Sequence, residues 1–151
     1  MFIVQPDKTI IDRIHFYNPV DIPKNLDNYL KQFYQLPDIL TLRVQMDENT
    51  AFPDIFLKPY PMVSDMVMQV MRMYRTEIFS RRVMITVRNS KEYKWYFLLY
   101  IDEITVPLFR DFELRIDSQK KIKCTISLDF AESILRRGAK GIELMEEKGD
   151  S

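Results

Sequence analysis

The sequence predicts an α+β fold in a single domain, a mainly antiparallel, twisted sheet with two or three helices packed on it. Three observations carry that expectation. Strand-like runs rich in β-branched and aromatic residues, or alternating apolar with polar, recur at Thr41–Met46, Arg82–Arg88, Tyr93–Ile101, Phe109–Ile116 and Lys121–Ile126. Leu26–Tyr34 and Asp65–Tyr74 read as helices, and capping residues bound a third from Ser127 to Arg137. The polar tetrapeptides Asn89–Glu92 and Asp117–Lys120 separate neighbouring strand runs at hairpin length. At 151 residues, 46% hydrophobic and 13% aromatic, the chain has the material for one packed core over residues 1–151.

The elements follow in order. Six of the eight prolines fall within the first sixty residues, where they disfavour long helices. Thr9–Phe16 reads as a short strand. Leu26, Tyr29, Leu30, Phe33 and Tyr34 then define one helical face, and Thr41–Met46 alternates as a half-buried strand does. After Pro59-Tyr60-Pro61, Ser64 caps the helix from Asp65, whose charge suits the positive end of the helix dipole. Met62, Met66 and Met73 with Val70 mark the face of this helix expected to meet the core. Arg82–Arg88 and Tyr93–Ile101 form an antiparallel hairpin whose second strand is central and covered on both sides. Pro107 interrupts the chain before a second hairpin, Phe109–Ile116 with Lys121–Ile126. Ser127 or Asp129 caps the last helix, with Glu132 in capping-box position relative to Asp129. Gly138 takes the left-handed position after Arg136 and Arg137, Gly141–Met145 resumes as a strand, and Lys148–Ser151 reads as a frayed tail.

Charge excludes several functions. Lys and Arg number 22 against 22 Asp and Glu, so no global positive field gathers nucleic acid or anionic lipid. The N-terminal residues lack the pattern of a secretory signal, and the longest apolar run, Trp95–Ile101, is too short to span a bilayer. One cysteine, Cys124, and one histidine, His15, furnish neither an internal disulfide nor a Cys/His metal cluster. The expectation is a cytoplasmic protein with no membrane attachment, no metal and no cofactor.

Four features invite chemistry. Gly138-Ala139-Lys140-Gly141 suggests a phosphate loop, but it follows a helix and precedes a strand, whereas phosphate loops lie at helix N-termini. It reads as a cap. His15 and Asp12, with the Asp102-Glu103 pair, are the participants available to a small enzyme with a scattered site, although no nucleophile motif accompanies them. Arg75, Arg81, Arg82 and Arg88 lie near Tyr74, Tyr93 and Trp95, and such interleaving serves single-stranded nucleic acid in other proteins. Asp47, Glu48 and Asp54 form an acidic loop before Pro59, suited to steering a basic partner.

Taken together, Pro61-Met62-Val63-Ser64-Asp65 opening an amphipathic helix, Tyr96-Phe97-Leu98-Leu99 in the second hairpin strand, and Ile126-Ser127 opening a helix that closes in Gly138-Ala139-Lys140-Gly141-Ile142-Glu143-Leu144 resemble the C-terminal portion of a family of bacterial immunity proteins encoded beside polymorphic toxins. The resemblance covers about residues 52–147 and leaves 1–51 as a less defined N-terminal part. It departs between Asp102 and Lys120, where a longer acidic and polar linker is expected. What it implies is an intracellular, non-enzymatic protein that neutralises its cognate toxin by stoichiometric binding. Asp47, Glu48 and Asp54 are the interface expected on this reading. Nothing in the sequence sets the oligomeric state.

Overall fold

The computed structural model describes residues 1–17, 22–23, 25–47, 49–75, 77–100 and 110–147. Among these, the chain runs β1 (Phe2–Pro6), α1 (Lys8–Ile11), β2 (His15–Phe16), α2 (Leu26–Gln32) continued by a 3₁₀ turn, β3 (Ile39–Gln45), β4 (Ile55–Phe56) and β5 (Met62–Ser64). It continues through α3 (Asp65–Tyr74), β6 (Ser80–Val87), β7 (Tyr93–Leu99), β8 (Phe112–Ile116), β9 (Ile122–Ile126), α4 (Leu128–Arg136) and β10 (Ile142–Glu146). The fold is α+β, but its strands form two sheets. One has the order β10-β1-β9-β8 and is antiparallel throughout; the other has the order β2-β3-β6-β7-β5-β4, with β3 and β6 parallel.

Strand alternation divides the interior into two cores. Leu40, Leu42 and Val44 of β3, Val83 and Ile85 of β6, and Tyr96 and Leu98 of β7 point to one face of the larger sheet, where they meet Tyr29, Phe33 and Tyr60. On the opposite face, Phe97 and Leu99 of β7, with Val63 of β5 and Ile55 of β4, meet α3, α4 and the inner face of the smaller sheet through Phe112, Leu114, Cys124 and Ile126. Strand β7 is therefore central, and its second half, Tyr96–Leu99, is buried on both sides as the apolar run predicts, whereas Tyr93–Trp95 are not. Both long helices begin where a serine caps them: Ser64 Oγ accepts from Val67 N–H and Ser127 Oγ from Phe130 N–H.

Several expectations are corrected. Thr9–Phe16 is not one strand, because the Asp7 side chain accepts from Thr9 N–H and opens the short helix α1, leaving only His15–Phe16 extended. Strand β1 lies earlier, at the centre of the smaller sheet. Since Ser127 and not Asp129 caps α4, Glu132 has no capping-box role; it lies 3.8 Å from Arg136 as an i,i+4 pair. On α3 the buried face is Val67, Met68, Val70 and Met71, while Met73 is 67% exposed. Pro107, the start of the Phe109 strand and the Lys148–Ser151 tail lie outside the described residues. No helix among those described is long and apolar enough to cross a membrane.

The glycine turn behaves as a cap, but its two glycines do unequal work. Gly138 has φ +77° with open space where a Cβ would stand; Gly141 has φ +75° and a Cβ there would lie 2.4 Å from Pro53 Cβ. Gly138→Ala is expected to cost about 1–2 kcal/mol, the left-handed penalty alone, and Gly141→Ala more because it adds that collision. Chemical denaturation of the two variants measures the difference. Burial also holds the Tyr29 and Tyr96 phenols far above their ordinary value of 10.0, so they stay protonated in the folded chain. The unfolded chain releases these protons near that value. Their contribution is therefore present in full below about pH 10 and stability falls as pH rises beyond it, which urea midpoints across that range will register.

Candidate functional site

The same alternation that builds the cores leaves half of one sheet face uncovered. On the face shared with α3 and α4, those elements reach β4, β5 and the end of β7. Further across, His15 of β2 stands opposite Gln45 of β3, Arg43 opposite Thr86 of β6, Thr41 opposite Met84, and Met84 opposite Trp95 of β7. Ile39, Arg82 and Tyr93 complete this half-face by register. Every one of these side chains is exposed or half-exposed, and no described element lies over them. A sheet with one face packed and the other solvated is ordinary, but the solvated side is then usually polar. This one carries Trp95, Met84, a 60% exposed Tyr93 and a 57% exposed Ile39.

Its charge is of one sign. The strand positions on the half-face include Arg43 and Arg82 and no Asp or Glu. The arginines are arranged on aromatic rings: the Arg82 guanidinium lies 4.4 Å from the centre of the Trp95 ring, and those of Arg43 and Arg88 each lie 5.8 Å from that of Tyr17. Arg88 Nη1 donates to Tyr17 Oη at 2.8 Å, and Tyr17 Oη donates to Gln45 Oε1. At the rim, Arg72 of α3 lies over Phe97, 5.2 Å from its ring centre. Ring contact orders each guanidinium without consuming its N–H donors, of which Arg88 spends one on Tyr17 Oη.

The residues singled out in the sequence separate in space. Arg82, Arg88, Tyr93 and Trp95 do come together, and His15 shares their face. Arg81 does not: it projects to the other side, over Phe33, and donates to the carbonyls of Leu36 and Tyr34. Asp12 ends α1 and is exposed; Glu48 and the Asp102-Glu103 pair lie outside the described residues. Asp47 is exposed. Asp54 is only 7% exposed, and its carboxylate faces inward, accepting from Ser64 Oγ at 2.6 Å and from Lys140 N–H at 2.7 Å. It is a brace inside the fold and offers no charge to a partner. The open half-face itself was only half legible: its strands could be read, but not which of their two faces the helices would leave bare.

Among the described residues, no group of three or more His, Cys, Asp or Glu side chains is placed to hold a metal ion. Cys124 is fully enclosed, and burial raises its thiol well above the usual range. Comparison with protein-family models and with curated proteins finds no match for this chain.

The Asp54 brace has a measurable signature. Asp54→Ala strands the buried Ser64 hydroxyl and the part-buried Lys140 N–H and is expected to cost about 2–4 kcal/mol, against less than about 0.5 kcal/mol for Asp47→Ala at the exposed end of the same loop. Equilibrium unfolding of both variants tests the contrast.

Proposed function

We propose that this protein binds and neutralises a cognate bacterial toxin by stoichiometric occlusion, and that the open half-face of the larger sheet is the surface that makes the contact. The observation that carries the reading is the combination on that face of Trp95, Tyr93, Met84 and the ring-ordered Arg43, Arg82 and Arg88, uncovered by any described element. Trp, Tyr and Arg are the residue types that dominate binding energy at protein interfaces: the aromatic rings bury large areas with few rotors to freeze, and the guanidinium brings a planar set of donors. The resemblance of residues 52–147 to immunity proteins supplies the class of partner. The charge of the face supplies its chemistry: an acidic patch on the toxin, drawn in by the arginines and desolvated around Trp95. Of the acidic loop, Asp54 is turned inward and only Asp47 is exposed among the described residues.

A second reading of the same face, single-stranded nucleic acid, is favoured by one observation, the stacking of Arg82 on Trp95 beside the exposed Tyr93 ring. The two readings separate in one experiment. Co-expression with the toxin encoded beside the gene is expected to restore growth and to co-purify a one-to-one complex. Arg82→Glu is expected to weaken that complex at least about a hundredfold, by reversing a charge at the centre of the interface, while leaving the fold intact. No rescue and no complex would overturn the toxin reading. Salt-sensitive retention of the wild-type protein on oligonucleotide, abolished by Arg82→Glu, would replace it with the second.

A further inference from the structure

The edges of the two sheets differ in what they offer a further strand. At the ends of the larger sheet, β2 and β4 have two residues each, too few to template another strand. The smaller sheet ends in five-residue strands, β8 and β10. Strand β8 balances its own charge, since Arg115 is paired with Glu113 at 2.9 Å. Strand β10, Ile142-Glu143-Leu144-Met145-Glu146, carries two carboxylates and no cation.

The register fixes which backbone groups of β10 are spare. It pairs with β1 without a bulge from Phe2↔Glu146 to Pro6↔Ile142. Asp7 N–H donates to the Gly141 carbonyl and Glu147 N–H to the Met1 carbonyl, each at 2.9 Å, and these two bonds bracket the ladder. Bonded positions alternate in an antiparallel pair, so Gly141, Glu143, Met145 and Glu147 turn their backbone groups to β1. Ile142, Leu144 and Glu146 turn theirs outward, and no described strand lies beyond them. Pro6, which has no N–H, accordingly stands opposite Ile142, where the ladder to β10 asks for none. Outward-facing edge groups are a template for pairing, and proteins commonly blunt them with Pro, Lys or a bulge; β10 has none of these.

Charge and burial say what the edge accepts. Glu143 and Glu146 are exposed, and among the described residues neither is ion-paired, whereas Glu147 just beyond them is paired with Lys123 at 3.3 Å. A second copy pairing here about Leu144 would bring two more carboxylates and no cation to the ladder, which disfavours it. Ile142 and Leu144 are half-buried at the border of the core beneath the smaller sheet, where a further strand would complete their cover. We propose that the β10 edge docks an extended basic segment of a partner protein, added antiparallel to β10, with Lys or Arg opposite Glu143 and Glu146 and apolar side chains opposite Ile142 and Leu144. Main-chain bonds supply the affinity in this mode and alternate side chains supply the choice. The carboxylates that repel a second copy are the ones that select the opposite charge. This surface is separate from the open half-face, and the inference does not rest on toxin binding.

Fluorescence anisotropy of the full chain with the capped, labelled peptide Thr-Lys-Thr-Val-Lys-Val-Thr tests it. In antiparallel pairing its lysines fall opposite Glu146 and Glu143 and its valines opposite Leu144 and Ile142. Saturable binding with a Kd below about 1 mM is expected, weakening as salt is raised. Replacing both lysines of the peptide by glutamate should weaken binding at least about tenfold, and Glu143→Lys should shift the preference toward that acidic peptide. N-methylation of the valine opposite Leu144 should cost at least about fivefold, since it removes a donor to the Leu144 carbonyl. Glu146→Pro should weaken binding more than Glu146→Ala, because only the proline deletes an outward N–H, and neither change touches a bond to β1. Arg82→Glu, on the open half-face, should leave the affinity unchanged. No saturable binding up to about 5 mM, equal binding of the basic and acidic peptides, or affinity undiminished by N-methylation would overturn the proposal. So would a dimer in sedimentation velocity that Glu146→Pro dissociates, which would give the edge to a second copy.

Discussion

Everything in this fold is anchored where Asp54 meets Lys140. The two residues exchange a backbone bond from Asp54 N–H to the Lys140 carbonyl and a side-chain bond from Lys140 N–H to the Asp54 carboxylate; Ser64 then closes on Asp54 with its own N–H and its hydroxyl. Ser64 is also the last residue of β5 and the cap of α3. A single buried carboxylate thereby ties the larger sheet, the first turn of α3 and the turn that feeds β10 in the smaller sheet. Around it, Tyr96 Oη donates to the Pro53 carbonyl and Gly141 packs on Pro53 without room for a Cβ. A buried charge is costly unless its acceptors are matched, and here two donors meet it within a close-packed setting.

That anchor explains why the two faces of the larger sheet differ. Fixing the start of α3 over β5 commits the helix to the β4–β5–β7 side, and α4 follows because it packs against α3. Neither reaches β3 or the outer part of β6. The opposite face has no such bias and is filled across its width by aromatic and aliphatic side chains centred on Tyr29, Phe33 and Tyr96. An asymmetric sheet of this kind combines a rigid back with a bare front, and rigidity behind a contact surface reduces the entropy lost when a partner docks. The guanidinium groups share this property, since each lies on a ring and is not free to sweep through solvent.

Local signals made much of the fold readable. Ser64 and Ser127 mark the starts of the two long helices because a capping hydroxyl needs only neighbours two or three residues away, and the polar turns at Asn89 and Asp117 mark hairpins for the same reason. What sequence could not disclose is non-local. Asp54 looks like any loop aspartate until Ser64, ten residues on, and Lys140, 86 residues on, are brought to it. The short strands β4 and β5 lie among prolines and owe their extended form to pairing with each other and with β7. The methionine spacing in α3 pointed to a face through Met66, Val70 and Met73, whereas the face that packs is Val67, Met68, Val70 and Met71, because distant elements set the rotation of the helix.

One pairing has a kinetic corollary. Val4 of β1 lies between Cys124 of β9 and Leu144 of β10, partners 120 and 140 residues further along the chain. Loop closure over such distances is entropically slow, and topologies dominated by distant pairings fold late. During synthesis, Phe2–Pro6 emerges well ahead of both its partners and waits, an apolar strand with both edges unpaired, until β9 and β10 have been made. The smaller sheet is thus the final part to assemble, and any delay between the two ends exposes a segment well suited to pairing with a neighbouring nascent chain.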